Sequence, residues 1–153
     1  HKQFQQLSTE FLQRLTAEWD IVMWAWNLDA GFLASANPDF GTTYMKFDAA
    51  AVVRKQEAYR STPVSSVPMR VQMAFGSCCY SVSPAGAEKL LKSCFPLKPF
   101  DLLIKPINRH LKNIGIDVAM NALYPSMQVW APFPPLALTM NDKSVSTIQT
   151  GEL

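Results

Sequence analysis

Residues Trp19–Trp26 read WDIVMWAW, and this stretch decides the fold. It is short, almost wholly apolar and rich in β-branched and aromatic residues, which is typical of a strand buried on both faces. Before it, apolar side chains recur at helical spacing, which predicts an amphipathic helix over residues 3–17. A helix leading into a doubly buried strand is half of an α/β unit. The expected fold is therefore α/β, with a parallel or mixed sheet flanked by helices.

The predicted strand ends in a polar turn, Asn27–Gly31, which reads NLDAG. In open α/β sheets, ligands bind beyond the carboxyl ends of the strands. Asn27 and Asp29 lie at such an end and are candidate ligand-binding residues. The alternative is ordinary turn chemistry, in which Asn and Asp side chains bind nearby backbone amides.

Downstream, caps and breakers divide the chain into further elements. Asp48 suits the N-cap of a helix over residues 49–59, and Ser83 suits that of a helix beginning at Pro84. Strands are expected over residues 69–75 and 78–82, and an extended path is expected at the prolines Pro132, Pro134 and Pro135.

Two more helices are predicted after Pro99. Asp101 would cap the first, which carries apolar residues up to Leu111 and is kinked at Pro106. A second would start near Gly115 and end near Leu123. The tail Asn141–Leu153 is polar and shows no core pattern. The chain is expected to form a single domain or part of one.

Composition excludes several functional classes. Lys and Arg number 14 against 12 Asp and Glu, for a net charge of +2, whereas a nucleic-acid binder normally shows a strong basic excess. No apolar run approaches the ~20 residues of a membrane span. The cysteines Cys78, Cys79 and Cys94 have no metal-ligand spacing, so they are expected to be buried, reduced, small apolar residues and not zinc ligands.

The order of motifs resembles glycosyltransferase family 25, which includes bacterial lipooligosaccharide and collagen galactosyltransferases. The most recognisable segment is Gly76–Leu91, GSCCYSVSPAGAEKLL, which is similar to the family pattern G-T-x-a-Y-h-h-S-x-x-G-A-x-k-L-L. The start of the buried strand resembles the family's W-D-hydrophobic strand. Gly115-Ile116-Asp117 resembles its P-h-D motif, and Pro135–Ile148 resembles its terminal P-x…S-x-I. Together these cover about residues 5–150.

The chain departs from the family pattern at three places. Ser77 stands where the family usually has Thr, and Gly115 stands near where it often has Pro. Asp101 follows Pro99 and Phe100 and so competes with Asp117 for the same motif. We favour Asp117, because a short apolar helix and a proline-rich stretch follow it at family-like distance.

The resemblance implies a GT-A fold and transfer of a hexose, most simply galactose, from a UDP-sugar to a saccharide acceptor, in the cytoplasm or at a membrane surface. Family members bind the donor through a preceding nucleotide-binding half that ends in an acidic motif. GT-A enzymes hold the diphosphate with a divalent cation, usually Mn²⁺, which needs clustered oxygen ligands. The chain has no Asp-x-Asp or Glu-Asp-Asp cluster. The resemblance therefore implies a metal site before residue 1 and predicts that this chain is the acceptor-side half.

The acceptor half is expected to supply a general base, because a carboxylate must take the proton of the attacking hydroxyl. Asp117 is the candidate and Asp101 the runner-up; for Asp117 the alternative role is a helix N-cap. Expected substrate contacts are Asn27 and Asp29 with a further set: Ser77, Tyr80, Trp26 and Ser144.

Each of these contacts has a structural alternative. Trp24 and Trp26 alternate on one predicted face, where an aromatic platform suits a sugar, yet a Trp pair in an apolar strand also suits the core. Tyr80 lies mid-strand and could equally pack against the sheet. Asp142 and Ser144 could belong to a solvated loop. For the whole chain, the competing function is a non-catalytic module that binds a glycan or a protein.

Overall fold

The computed structural model of the chain describes residues 1–15, 18–99, 101–113 and 115–139. Over these residues the fold is α/β, as expected, with four α-helices and a mixed six-stranded sheet. The helices are α1 (Phe4–Arg14), α2 (Ala49–Tyr59), α3 (Pro84–Cys94) and α4 (Ile116–Leu123). The strands are β1 (Ile21–Ala25), β2 (Phe32–Ser35), β3 (Thr43–Met45), β4 (Val67–Met73), β5 (Cys79–Val82), β6 (Asp101–Ile104), β7 (Arg109–Lys112) and β8 (Val129–Phe133).

The six-stranded sheet has the order β3-β2-β4-β8-β1-β5, and β6 and β7 form a separate two-stranded sheet. Strand β1 pairs in parallel with β8 and antiparallel with β5, and β4 runs antiparallel to both β2 and β8. Among the described helices, none is long and apolar enough to cross a membrane.

Strand β1 is the centre of the core, and all five of its residues are buried. This confirms the interpretation of Trp19–Trp26 as a strand covered on both faces. Ile21 and Met23 belong to the main apolar cluster, whereas Val22 belongs to a second cluster formed with α1. The two faces of the strand therefore join the sheet to different layers of the molecule.

The two tryptophans do not share a face, contrary to the expectation from alternation. Trp24 packs in the cluster with Phe11 of α1, while Trp26 lies in the main cluster. The pairing of β1 with β5 shifts register between Met23 and Ala25, and this irregularity breaks the two-residue alternation before Trp26 is reached.

Asp20 connects α3 and β8 to the start of β1 through an ion pair and hydrogen bonds. Its carboxylate lies 2.7 and 2.8 Å from Lys89 Nζ and accepts the Gln128 N–H at 2.8 Å. Its backbone oxygen accepts the Ser83 N–H at 2.9 Å. The Asp20 side chain is 5% exposed, against 52% for Lys89. Asp20, Ser83 and Lys89, all within the family-like segments, therefore act as structural residues in this fold.

Stability should depend on the charge of Asp20. Burial alone would raise the pKa of this carboxyl, but hydrogen bonds from Lys89 and Gln128 N–H, with the charges of Lys89 and Arg70, leave it below its usual value. Because its pKa is lowered in the folded state, the charged carboxylate adds to the free energy of unfolding at pH values above the unfolded-state pKa of about 3.9. This contribution is lost as the pH falls through the folded-state pKa.

We expect Asp20→Asn to lower the free energy of unfolding by about 2 kcal/mol near neutral pH, through loss of charge-assisted hydrogen bonds. The difference from the wild type should shrink as the pH is lowered from about 5 toward 2. Urea unfolding at several pH values measures this. Lys89→Met should weaken the same pH dependence, and a difference that stays constant across this range would contradict the assignment.

Three helix starts were predicted correctly from local signals. Asp48 accepts the Ala51 N–H at 2.9 Å at the start of α2, and Ser83 accepts the Gly86 N–H at 3.0 Å at the start of α3. Pro84 occupies the first turn of α3. Helix α4 begins at Ile116 after Gly115, as the glycine break indicated.

The helix predicted after Asp101 is wrong, because this segment forms a β-hairpin. Strands β6 and β7 pair antiparallel from Asp101↔Lys112 to Ile104↔Arg109. Between them lies a short 3₁₀ turn that ends at Asn108, which has a left-handed φ of 48°. The apolar side chains of the hairpin cover Leu33 and Met73 of the main sheet, so tertiary packing overrides the helical spacing.

Candidate functional site

Three segments of the chain meet beside the N-terminus of α4. They are Asn27, two residues after the end of β1, the residues after β4 and the first turn of the helix. The Asn27 N–H donates to the Phe75 oxygen at 2.8 Å. The Gly76 N–H donates to Asp117 Oδ2 at 3.0 Å. Asn27, the Gly76 loop and Asp117 thus form one polar cluster, which we call the α4 site.

Gly76 permits this close approach. Its φ is +78°, a left-handed conformation that favours glycine. A Cβ at this position would lie 2.9 Å from Asn27 Cβ and 3.2 Å from the Asn27 nitrogen. Any larger residue would therefore push the loop away from Asn27 and Asp117.

Asp117 is not the N-cap of its helix, which corrects one of the two roles expected for it. The cap position is Gly115, and Asp117 lies in the first turn of α4. A carboxylate there interacts favourably with the helix dipole. Its Oδ2 is engaged by the loop after β4 and not by the backbone of its own helix. The side chain therefore links two elements.

The second oxygen of Asp117 has a different environment. Within the described part of the chain, Oδ1 accepts no hydrogen bond, and Asp117 is only half-buried. The absence of a side chain at Gly115 helps to keep this oxygen accessible, since a Cβ there would lie 3.0 Å from it. One oxygen is anchored and the other is open, which is a suitable geometry for a proton acceptor.

The negative charge of Asp117 also faces a thiol and a phenol. Partial desolvation, followed by the charges of Asp117 and Cys79, raises the pKa of Cys78. Burial raises the pKa of Tyr124, with contributions from Asp117 and Tyr80. Both neighbours therefore stay protonated near neutral pH.

Sequence reasoning missed Cys78 as a member of the site. The expectation that all three cysteines are buried is wrong, because Cys78 is exposed and Cys79 is half-buried, while Cys94 is buried. All three are free thiols. The position of Cys78 after a glycine, within the most recognisable segment, is the signal that could have indicated its place.

Asn27 and Asp29 combine turn chemistry with proximity to the α4 site. Asn27 Oδ1 accepts the Asp29 N–H at 2.9 Å, which is an Asx turn. The Asn27 side chain is half-buried and Asp29 is exposed. The structure thus brings Asn27 into the α4 site through its backbone N–H and places Asp29 on the adjoining turn.

Trp26 is a core residue in this structure. Its side chain is 1% exposed and stacks on Phe32 with ring centroids 4.2 Å apart. It therefore presents no exposed platform to a sugar ring, and it supports the turn at Asn27 from below.

Of the remaining candidates, Ser77 belongs to the α4 site, whereas Tyr80 and Asp101 lie on other elements. Tyr80 is 40% exposed on β5, where it pairs with Met23, and Ser77 is exposed in the Gly76 loop. Asp101 is exposed on the β6–β7 hairpin, opposite Lys112. Ser144 and Asp142 lie outside the described residues, as does the whole polar tail.

The described residues do not fit a divalent metal. No group of three or more His, Cys, Asp or Glu side chains lies close enough together within them to bind an ion. Asp117 is accompanied by a backbone N–H and a thiol, a set that lacks the several oxygens a hard cation such as Mn²⁺ needs. A metal-bound donor would need ligands from elsewhere.

An apolar cavity of about 300 Å³ is lined in part by Leu28, the residue that follows Asn27 in the sequence. Lys55 is its one charged lining residue among those described, and the Tyr59 hydroxyl already donates to the Pro135 oxygen. The walls offer too few polar groups to orient a sugar. The other lining residues are Phe47, Ala51, Val52, Phe133, Pro134 and Leu138.

No protein family model, curated protein or solved structure matches this chain.

Proposed function

We propose that the chain is the acceptor-side part of a glycosyltransferase, in which Asp117 is the general base. The reaction would transfer a hexose, most simply galactose, from a UDP-sugar to a saccharide hydroxyl in glycan biosynthesis, with lipooligosaccharide as the product class that the family resemblance suggests. The observation that supports this most is the geometry of Asp117. Its Oδ2 is held by the Gly76 N–H at 3.0 Å, while Oδ1 accepts no hydrogen bond from the described residues.

This geometry suits the chemistry of sugar transfer. In an inverting transfer, the acceptor oxygen forms a bond to the anomeric carbon as the bond to the UDP oxygen breaks. The acceptor hydroxyl loses its proton in that step, and a positioned carboxylate within about 3 Å can take it. Asp117 Oδ1, which has no partner among the described residues, is available for this, and Asn27 and Ser77 lie on the flanking loops to contact sugar hydroxyls.

The donor would be bound by other residues. The resemblance implies an Mn²⁺ site in a preceding nucleotide-binding half. The potential metal ligands of the α4 site do not fit that metal. When bound, the cation would stabilise the negative charge of the leaving diphosphate. The contribution of this chain is then to orient the acceptor and remove its proton.

The test is turnover of UDP-galactose by the full-length protein with a saccharide acceptor, with and without Mn²⁺. We expect release of UDP and formation of a glycosidic bond that depends on the metal. UDP-glucose and UDP-N-acetylglucosamine test the identity of the sugar. Failure to release UDP from any of these donors, with a panel of acceptors that the protein demonstrably binds, would contradict the proposal.

The isolated 153-residue chain should neither transfer sugar nor bind a divalent metal tightly, because it has no Asp-x-Asp or Glu-Asp-Asp cluster. Calorimetry with MnCl₂ and a UDP-release assay on the isolated chain measure both properties. A micromolar Mn²⁺ site on this chain would contradict the expected location of the metal ligands. Addition of EDTA is the control for adventitious binding.

The second candidate is a module that binds a glycan or a protein without catalysis. It is favoured by one observation, namely that no metal-ligand cluster exists among the described residues. It predicts saccharide binding by the isolated chain and no UDP release by the full-length protein. The same turnover assay therefore separates the two candidates.

A further inference from the structure

We infer that Asn121 is the positioning residue of Asp117, an inference that rests on the proposed function. Asn121 is fully buried in α4, four residues after Asp117. It is one of few buried polar side chains, and all of its hydrogen-bonding groups are used. Neither motif spacing nor composition draws attention to it.

The side-chain amide of Asn121 binds both backbone polar groups of one residue, Ala74. Its Oδ1 accepts the Ala74 N–H at 2.9 Å, and its Nδ2 donates to the Ala74 oxygen at 2.8 Å. The second Nδ2 hydrogen donates to the Asp117 backbone oxygen at 2.9 Å. Asn121 thus extends the hydrogen bonding of β4 beyond its last residue and joins it to the first turn of α4.

These bonds and the Asp117–Gly76 bond form a closed ring. The chain runs from Ala74 to Gly76, crosses to Asp117 Oδ2 through the 3.0 Å hydrogen bond, and returns along α4 to Asn121 and Ala74. Two anchors set one turn apart fix both the position and the direction of the helix start. Without Asn121, the Gly76 bond would be the one side-chain hydrogen bond among those described that joins α4 to the end of β4.

Asparagine is the residue type that this position needs. An aspartate cannot donate to the Ala74 and Asp117 oxygens, and a serine or alanine leaves the Ala74 N–H and oxygen unpaired in the core. A glutamine is one methylene longer in a closely packed site. A displacement of a catalytic group by about 1 Å can slow a reaction about 10²-fold. Loss of the Asn121 hydrogen bonds should therefore slow the step in which Asp117 acts as the base.

The experiment compares Asn121→Ser, Asp117→Asn and the double variant in the full-length protein, with UDP-galactose as donor. We expect Asn121→Ser to lower kcat about 10- to 100-fold while the donor KM changes less than threefold. The double variant should be no slower than Asp117→Asn. The reason is that Asn121 affects the rate only through the Asp117 carboxylate, which that variant already lacks. Thermal unfolding confirms that each variant is folded at the assay temperature.

Ser66→Ala is the matched control. Ser66 is also a buried polar side chain that donates to a backbone oxygen, that of Pro134 at 2.9 Å, but it precedes β4 and so lies at the other end of that strand from Ala74. Its removal should leave kcat unchanged. Asn121→Gln is a second variant that keeps the amide, in case the serine variant does not fold, and it should show the same change in kcat with a smaller loss of stability.

The outcomes separate this inference from the proposed function. If Asp117→Asn slows transfer but Asn121→Ser does not, or if their effects multiply in the double variant, the role of Asn121 is overturned and that of Asp117 stands. If Asp117→Asn is fully active, the proposed base is overturned. Hydrogen exchange of the Gly76 amide then tests, without reference to activity, whether Asn121 positions Asp117. Roughly tenfold faster exchange in Asn121→Ser supports this role of Asn121, and unchanged exchange overturns it.

Discussion

Replacing Asp117 by asparagine should slow sugar transfer by the full-length protein about 10²- to 10⁴-fold, the usual contribution of a positioned general base. The asparagine keeps the shape of the side chain and an oxygen that can still accept the Gly76 N–H, now seen at 3.0 Å. It cannot accept the proton of the attacking hydroxyl. Stability should therefore change by less than about 1 kcal/mol, and donor affinity should be unchanged. Steady-state kinetics and urea unfolding measure these effects.

Asp101→Asn is the matched control for this prediction. Asp101 is an exposed carboxylate on the β6–β7 hairpin, opposite Lys112, and its substitution should cost little activity. Full activity in the Asp117 variant with loss in the Asp101 variant would reverse the assignment. If both variants are active, neither carboxylate is the base, and Asp29 and Asp142 become the residues to test.

Replacing Gly86 by alanine should destabilise the protein by about 3 kcal/mol, although a Gly→Ala change in a helix normally stabilises it by about 1 kcal/mol. A Cβ at position 86 would lie 2.2 Å from the Asp20 oxygen and 2.8 Å from its carbonyl carbon, and backbone atoms cannot move aside as a flexible side chain would. Helix α3 would have to shift away from β1. That shift would break the Ser83–Asp20 backbone bond and loosen the Lys89–Asp20 pair.

Urea unfolding of Gly86→Ala measures this effect, and Ser93→Ala is its control. Ser93 is exposed on the same helix, so its replacement should be neutral or slightly stabilising. An alanine at position 86 that raises the midpoint of unfolding would contradict the close contact between α3 and the start of β1. Because a Gly→Ala substitution in a helix normally stabilises a protein, a lower free energy of unfolding is easy to distinguish from the usual effect.

Local chemistry was enough to predict much of the fold. The apolar run of β1 has no polar face to leave in water, so its burial on both sides follows from its composition. Asp48 and Ser83 satisfy amide groups within three residues of themselves, and such short-range bonds depend little on the rest of the chain. The resemblance at Gly115-Ile116-Asp117 also predicted Asp117 as the base, but it did not indicate that Asp117 binds the Gly76 N–H.

The β6–β7 hairpin shows where local spacing is insufficient. The apolar residues between Asp101 and Leu111 fit a helix as well as a strand, and short apolar runs cannot be distinguished by periodicity alone. In the structure, Ile104 is fully buried against Leu33 and Met73, and that contact decides in favour of the hairpin. The partners are about seventy and thirty residues earlier in the chain.

The sequence by itself therefore determined the α/β class, the central buried strand and the starts of three helices, while Asp117 as the base stays a prediction. Only the tertiary structure decided that Asp117 binds the Gly76 N–H instead of capping α4. The same is true of the stacking of Trp26 on Phe32 and of the hydrogen bonds between Asn121 and Ala74. The physical reason is the range of the interactions. Caps and doubly buried strands depend on neighbouring residues, whereas these three contacts join segments that come together only when the core packs.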